Sequence, residues 1–255
     1  MDGSSLKRLT SSSAHDFTPV WSPGRGTIAF KRSRTGYSDD KTAKIMLMRS
    51  DGSNQRQVSY AGPSLTSGAT ALAYSPDGRY LAGGCRVGDP NSWAVTVLDL
   101  KTRMSRILLP FECENGVISV TWSPDGKRLA ASIEYGGGYG TLLIDVPGAR
   151  LVKELGGYAS ASWRPDGKYR LCSYWRQPGT TLQTWLLRPD GTRAKRLGTE
   201  QFYPAYSPDG KRYAFIVRGK WGYPCTLKYA DADGSHVRES HAWSGTDYVG
   251  APAWR

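Results

Sequence analysis

Four phrases along the chain share one order of apolar and polar positions. They read AYSPDGRYLAG at 73–83, VTWSPDGKRLAAS at 120–132, ASWRPDGKYRLCS at 161–173 and AYSPDGKRYAFIV at 205–217. In each, a short alternating stretch ends on an aromatic residue, a polar turn follows, and an apolar run rich in small residues leaves the turn. A looser copy, VWSPGRGTIAF, occupies 20–30, and Ala253-Trp254-Arg255 reads as the opening of another. The turn has its own chemistry. Proline presets φ at the first central position, aspartate suits the second, and glycine takes the left-handed position that returns the chain.

Aligned on the aromatic before the turn, the copies stand at Trp21, Tyr74, Trp122, Trp163, Tyr206 and Trp254, at intervals of 53, 48, 41, 43 and 48 residues. Between turns the same succession recurs. A second apolar strand (TIAF, YLAGG, RLAASI) runs into a loop holding glycine and aromatic residues. A third strand follows (KIMLMRS, WAVTVLDL, GTLLIDV), then a polar turn, then a more polar fourth strand (QRQVS, SRILL, AKRLG). Strand alternation is present and long helical periodicity is absent. A repeat of about 40–50 residues built from four short strands is the mark of a propeller blade. One such sheet cannot bury both its faces, so blades pack face to face. The expected fold is all-β: a β-propeller of four-stranded antiparallel blades, five full repeats plus pieces of a sixth blade, with residues 1–255 forming a single domain. The small residues of the second strand predict close approach between neighbouring blades.

The two ends share a frame. DGSSLKRLTSSSAHDFTPVW at the start and DGSHVRESHAWSGTDYVGAPAW at the end both run from a turn through an outer strand into an inner one. This predicts one further blade lacking its middle strands. Either the chain is clipped from a longer parent, or five blades close as they stand.

Composition adds little to the fold and more to the choice of partners. With 39% hydrophobic residues the chain can bury a sizeable core, and no apolar run reaches the length of a membrane span. The N-terminal MDGSSLKRLTSSSAHD has no apolar segment of the signal-peptide kind. The net charge of +12 falls largely on positions just after the turns, such as Arg79, Lys127, Arg128, Lys168, Lys211 and Arg212. A solvated rim accounts for most of this, and an anionic partner is the sharper reading. No Cys/His finger, RNP-like strand or basic helix goes with the charge, which argues against nucleic acid. Cys85, Cys113, Cys172 and Cys225 have no CxxC spacing, so a structural zinc site is not expected. Cys172 and Cys225 fall in adjacent repeats, where geometry decides whether they pair.

Catalytic motifs are missing. There is no HExxH, no GxSxG elbow and no P-loop; GGGYG at 136–140 lacks the Lys-Ser/Thr tail. No cofactor, catalytic residue or metal ligand is assigned. The acidic and imidazole groups that a site in the loops would draw on are His15, Asp16, Glu114 and Asp247.

The loops joining second to third strands, and outer strands to the next inner ones, emerge together in a propeller. They carry Tyr37, Trp93, Tyr135, Tyr139, Trp175, Arg176, Trp221 and Tyr223, while the lead-in segments add Asp16, Phe17, Phe202, Asp247 and Tyr248. Aromatic rings with arginine suit a protein-binding face, because they give large contact area at low entropic cost. The expected partner is another protein or a peptide, with a glycan stacked on the rings as a second option.

The phrases resemble the TolB-like β-propeller repeat family. Thr18-Pro19-Val20-Trp21-Ser22-Pro23 and Tyr203-Pro204-Ala205-Tyr206-Ser207-Pro208-Asp209-Gly210 match its opening phrase, Asp231-Ala232-Asp233-Gly234-Ser235 its outer turn, and Lys7-Arg8-Leu9-Thr10 its outer-strand tail. Pro23-Gly24-Arg25-Gly26 departs by lacking the aspartate, Arg164 stands for the turn serine, and the 146–149 turn lacks Asp-Gly. The resemblance implies a propeller of the scaffold kind in an exported, periplasmic setting. It equally implies the propeller part of a larger enzyme, a prolyl-oligopeptidase-like serine peptidase or a polysaccharide lyase, that gates or positions substrate.

Overall fold

The computed structural model describes residues 7–34, 43–63, 65, 72–88, 92–113, 116–135, 138–175, 181–218 and 225–243. These form five four-stranded antiparallel sheets, each built from four consecutive strands. The first holds β1 (His15–Trp21), β2 (Thr27–Ser33), β3 (Lys44–Arg49) and β4 (Arg56–Gln57). The second holds β5 (Leu72–Tyr74), β6 (Tyr80–Arg86), β7 (Ser92–Asp99) and β8 (Met104–Glu112). The third holds β9 (Val117–Trp122), β10 (Arg128–Tyr135), β11 (Gly138–Asp145) and β12 (Arg150–Gly156). β13 (Tyr158–Trp163), β14 (Arg170–Tyr174), β15 (Gln183–Leu187) and β16 (Arg193–Thr199) make the fourth. β17 (Phe202–Tyr206), β18 (Arg212–Arg218), β19 (Cys225–Asp231) and β20 (Arg238–Trp243) make the fifth. The four-strand reading therefore holds for the five full repeats, and the first strands of the five sheets end at Trp21, Tyr74, Trp122, Trp163 and Tyr206.

The repeated turn is a small hydrogen-bonded unit. Ser75 Oγ donates to Asp77 Oδ1 at 2.5 Å and accepts from Tyr80 N at 2.8 Å. Asp77 Oδ1 also accepts from Arg79 N, and Gly78 N donates to Ser75 O. Ser123 with Asp125 and Ser207 with Asp209 repeat this geometry. The serine hydroxyl, ahead of the other contacts, holds the carboxyls of Asp77, Asp125 and Asp209 below their ordinary range. Where Arg164 replaces the serine, Asp166 still accepts from Lys168 N at 3.0 Å.

The described residues fall into two compact units, one within Lys7–Gly136 and Leu142–Glu154 and the other within Gly137–Thr141 and Leu155–Arg255. In the former, Leu81, Leu98 and Leu72 meet Ala29, Ile45 and Leu47 from the first sheet. Val95 and Val97 meet Val120, Leu129, Ala131 and Ile133 from the third. A Cβ added at Gly84 would lie 2.5 Å from Val117 Cβ, so β6 and β9 approach as closely as the small second-strand residues predict. In the latter unit, Leu171 and Leu186 of the fourth sheet pack on Tyr206, Tyr213 and Phe215 of the fifth. A fully buried leucine contributes about 2 kcal/mol, so these face-to-face contacts between sheets supply much of the stability.

Outer strands are tied to the next sheet's outer turn. Arg106 Nη2 on β8 donates to Val146 O at 3.0 Å, and Lys195 Nζ on β16 donates to Asp233 O at 2.8 Å. Lys7 Nζ donates to Asp51 O at 3.2 Å in the same manner, and Gly52 sits against Leu9 as Gly234 sits against Leu197. The 7–10 segment thus lies against the first sheet as an outer strand would, yet it carries no strand. The expected pieces of a sixth blade do not appear as a sheet: residues 7–14 have no paired neighbour, and residues 1–6 and 244–255 lie outside the described residues. Cys85, Cys113, Cys172 and Cys225 are all buried and none is in a disulfide, so Cys172 and Cys225 do not pair. Among the described residues, no helix is long and apolar enough to cross a membrane.

Candidate functional site

The ends of β11, β14, β17 and β18 gather a set of rings in the second unit. Its anchor is Gly157, which holds φ 79° between β12 and β13. Gly157 N donates to Tyr139 O at 2.6 Å, and Trp175 N donates to Gly157 O at 2.7 Å. A Cβ at position 157 would lie 2.8 Å from both Trp175 O and Tyr174 Cε2, so only glycine fits. This stitch brings Tyr139 and Trp175 face to face, with centroids 5.3 Å apart and planes 12° apart.

Trp175 then meets Phe202 edge-on, at 6.2 Å and 74°. Phe202 adjoins Tyr203 at 6.5 Å. The Arg218 guanidinium lies 4.4 Å from the Phe202 ring centre and 5.7 Å from that of Tyr203, and its Nη2 donates to Tyr203 Oη at 3.3 Å. Tyr203 itself has φ 53°, at the bulge where the β17–β18 register shifts. Beneath, buried Gln201 accepts from Tyr213 Oη through its side chain and from Thr184 Oγ1 through its carbonyl. The five residues Tyr139, Trp175, Phe202, Tyr203 and Arg218 are all half-buried, so each offers part of its surface to solvent. A partly desolvated guanidinium over ring faces, beside a stacked pair with an open edge, can take apolar, aromatic and hydrogen-bond-accepting groups together.

Of the expected loop residues, three therefore come together: Tyr139, Trp175 and Phe202. Tyr203 and Arg218 were not expected. They neighbour the aligned phrase on either side, and the residue spacing gave no sign that a bulge would turn Tyr203 toward the loops.

The other unit treats its expected residues differently. Asp16 is held by Arg32 in a two-pronged ion pair, Nε–Oδ1 at 2.6 Å and Nη2–Oδ2 at 2.8 Å, which raises the guanidinium's affinity for its proton. That leaves Asp16 as a structural anion. Phe17 pairs in register with Lys31 and is half-buried. Trp93, expected on the binding face, is only 2% exposed. Its ring fills the space above Gly116 (a Cβ there would come within 2.5 Å) and lies 5.1 Å from the Arg86 guanidinium. It anchors its loop from inside, because the glycine at 116 leaves a slot that the indole occupies. Tyr135 closes β10. Tyr37, Glu114, Arg176, Trp221, Tyr223, Asp247 and Tyr248 lie outside the described residues.

A second ring set went unread in the sequence. Arg193 sits 4.5 Å from the ring centres of both Tyr174 and Trp185 and 5.7 Å from that of Tyr158, whose Oη it meets through Nε at 2.5 Å. Its members come from four strands of one sheet, and nothing local in the sequence links them. Among the described residues, no group of three or more His, Cys, Asp or Glu could hold a metal ion.

No family model matches the sequence, and no curated protein matches it. Solved structures do. TolB from Acinetobacter baumannii aligns with a TM-score of 0.69 at 19% identity, over 95% of this chain and 59% of that one. The β-propeller domain of the trilobed protease from Pyrococcus furiosus aligns at 0.63 and 18%, over 89% and 70%. Oligogalacturonate lyase in complex with manganese aligns at 0.63 and 16%, over 92% and 69%. The chain spans about three fifths of the length of TolB. At such identities the likeness shows the fold, a β-propeller of four-stranded blades, similar to that of TolB.

Proposed function

We propose that this TolB-like propeller is a non-enzymatic interaction module, binding a partner protein or peptide through Tyr139, Trp175, Phe202, Tyr203 and Arg218. The observation that carries the reading is the half-exposed Tyr139–Trp175 stack with Arg218 beyond Phe202. Large rings held rigidly by their own contacts lose little entropy on binding, and arginine adds directional hydrogen bonds. The exported, periplasmic setting of a scaffold goes with this reading through the resemblance to TolB.

A second reading has its own support, since two of the similar structures are a protease's propeller domain and a lyase. There the propeller belongs to a larger enzyme and positions substrate at the same loop end. Trp175→Ala and Phe202→Ala variants separate the readings. Under the first, affinity for a partner identified by pull-down falls at least tenfold while the melting temperature stays within a few degrees. Undiminished affinity would remove the cluster from the interface. Cleavage of peptide or pectin panels by purified 1–255 would favour the second reading.

A further inference from the structure

The first turn of the first sheet breaks the repeat in a directed way. Arg25 N donates to Ser22 O at 2.8 Å, as Gly78 N donates to Ser75 O at 2.9 Å, so Arg25 occupies the turn-glycine position. It takes φ 55°, close to the 73°, 69°, 71° and 67° of Gly78, Gly126, Gly167 and Gly210. An arginine is strained there, and strain kept at a surface turn points to use. Gly24 meanwhile stands where the other turns hold aspartate. Elsewhere that aspartate answers the basic residue after the glycine; Arg25 has no carboxylate in its turn.

Two further segments join it. Ser50 N donates to Gly26 O at 3.1 Å, which sets the Arg49–Gly52 turn beside Arg25. Lys7 Nζ donates to Asp51 O, and Leu9 lies against Gly52, which brings Lys7 and Arg8 alongside. Lys7, Arg8, Arg25 and Arg49 are all exposed. The one carboxylate in these three segments, Asp51, accepts from Ser53 N at 2.8 Å. Among the described residues, none of the four cations forms an ion pair. Added Cβ atoms at Gly24 and Gly26 would meet nothing within 4 Å, so the turn stands clear of its surroundings. Trp21, the aromatic before the turn, packs with Ile28, Phe30, Met46 and Met48 and offers no ring at the tip.

We infer that this turn end of the first sheet docks on an anionic lipid surface. Four exposed cations on a projecting tip, none in an ion pair among the described residues, suit a plane of phosphates, each adding to the attraction within a Debye length. Single-stranded nucleic acid calls for a groove and stacking rings, and this tip has neither. The patch is at the end of its own sheet opposite the β2–β3 connection, and it shares no residue with the aromatic cluster. It is independent of the aromatic cluster.

The test is co-sedimentation with vesicles of phosphatidylcholine, with and without about one third phosphatidylglycerol, at low and physiological salt. The natural sequence should bind only the anionic vesicles, and less as salt rises. Arg25→Gly should weaken binding roughly fivefold, and a combined K7Q/R8Q/R25G/R49Q variant by on the order of several hundredfold. Because glycine is favoured at position 25, Arg25→Gly should melt at or above the parent temperature, so its loss of binding reports charge alone. Lys127→Gln with Lys211→Gln should bind as the parent does. Equal binding by the combined variant, or none by the natural sequence, overturns the inference. Binding to a DNA duplex of matched phosphate concentration without binding to vesicles overturns it too, and reassigns the patch.

Discussion

Tyr139 and Trp175 stack at 5.3 Å because the backbone of Gly157 bonds to both, accepting from one and donating to the other. The pair belongs to successive sheets, so its geometry depends on how one residue crosses between them. Gly157→Ala should therefore cost about 2 kcal/mol or more, from the positive φ and the crowding on Trp175 O. Urea titration measures the loss. The tryptophan fluorescence of the folded variant should also shift, since the stack must open.

The two tryptophans of the loop ends should behave oppositely. Trp93→Ala empties a buried slot and should destabilise by about 3–5 kcal/mol. Trp175→Ala removes a half-exposed ring and should cost about 1 kcal/mol while abolishing partner binding. Thermal melts of the two variants, run beside the binding assay, decide this. Equal destabilisation would place Trp175 in the core instead.

Lys31 is fully buried in β2, and burial pulls its amine down to about 7, against a small opposing pull from Cys85. In the unfolded chain the amine titrates near 10.5. Between these values the unfolded state holds a proton that the folded state has released, so stability rises with pH across that window. Buried Cys172, pushed up to about 11, works the other way above pH 9. The clean range is pH 7 to 9, where the denaturation midpoint should increase. Lys31→Met should flatten the slope and stabilise the protein at pH 7.

Asp99 gives a slope of the same sign in a lower window, from a favourable ion pair and not from a cost of burial. Arg79 donates to its carboxylate through Nε and Nη2, and this holds the carboxyl down to about 2. That contribution is present above the unfolded value of 3.8 and is lost as pH falls toward 2. Arg79→Ala should remove a small stabilisation that is present above about pH 4, small because the pair is partly exposed, and leave stability near pH 2 unchanged, so that its acid profile is flatter than the parent's. Acid titration followed by circular dichroism checks it.

Much of the fold was legible in the repeat. The Ser-Pro-Asp-Gly phrase states a turn whose hydrogen bonds are local, and the strand that leaves it is a continuous buried apolar run, as in β6, β14 and β18. Gly84 and Val117 show why the second strands read as small. The candidate site was only partly legible. Tyr139, Trp175 and Phe202 sit at strand ends whose place follows from the repeat. Trp93 looked the same in sequence, and its burial follows from Gly116, a loop residue outside the repeated phrase. Tyr203 and Arg218 depend on a bulge, and the Arg193 ring set depends on register across four strands. Such features arise from tertiary packing, and a residue-by-residue pattern does not carry them. The expected sixth blade drew on a real likeness of the 7–10 segment to an outer strand, but likeness of sequence supplies no pairing partner.

The most direct measurement puts a photoreactive phenylalanine analogue at Phe202, and separately at Lys211 on the turn end of the same sheet, and irradiates the protein in its native cell. Crosslinking to one protein from position 202, absent from position 211 and lost on Trp175→Ala, is the predicted result. Crosslinking from 211 alone, or from 202 undiminished by Trp175→Ala, would contradict the assignment of the aromatic cluster as the binding face.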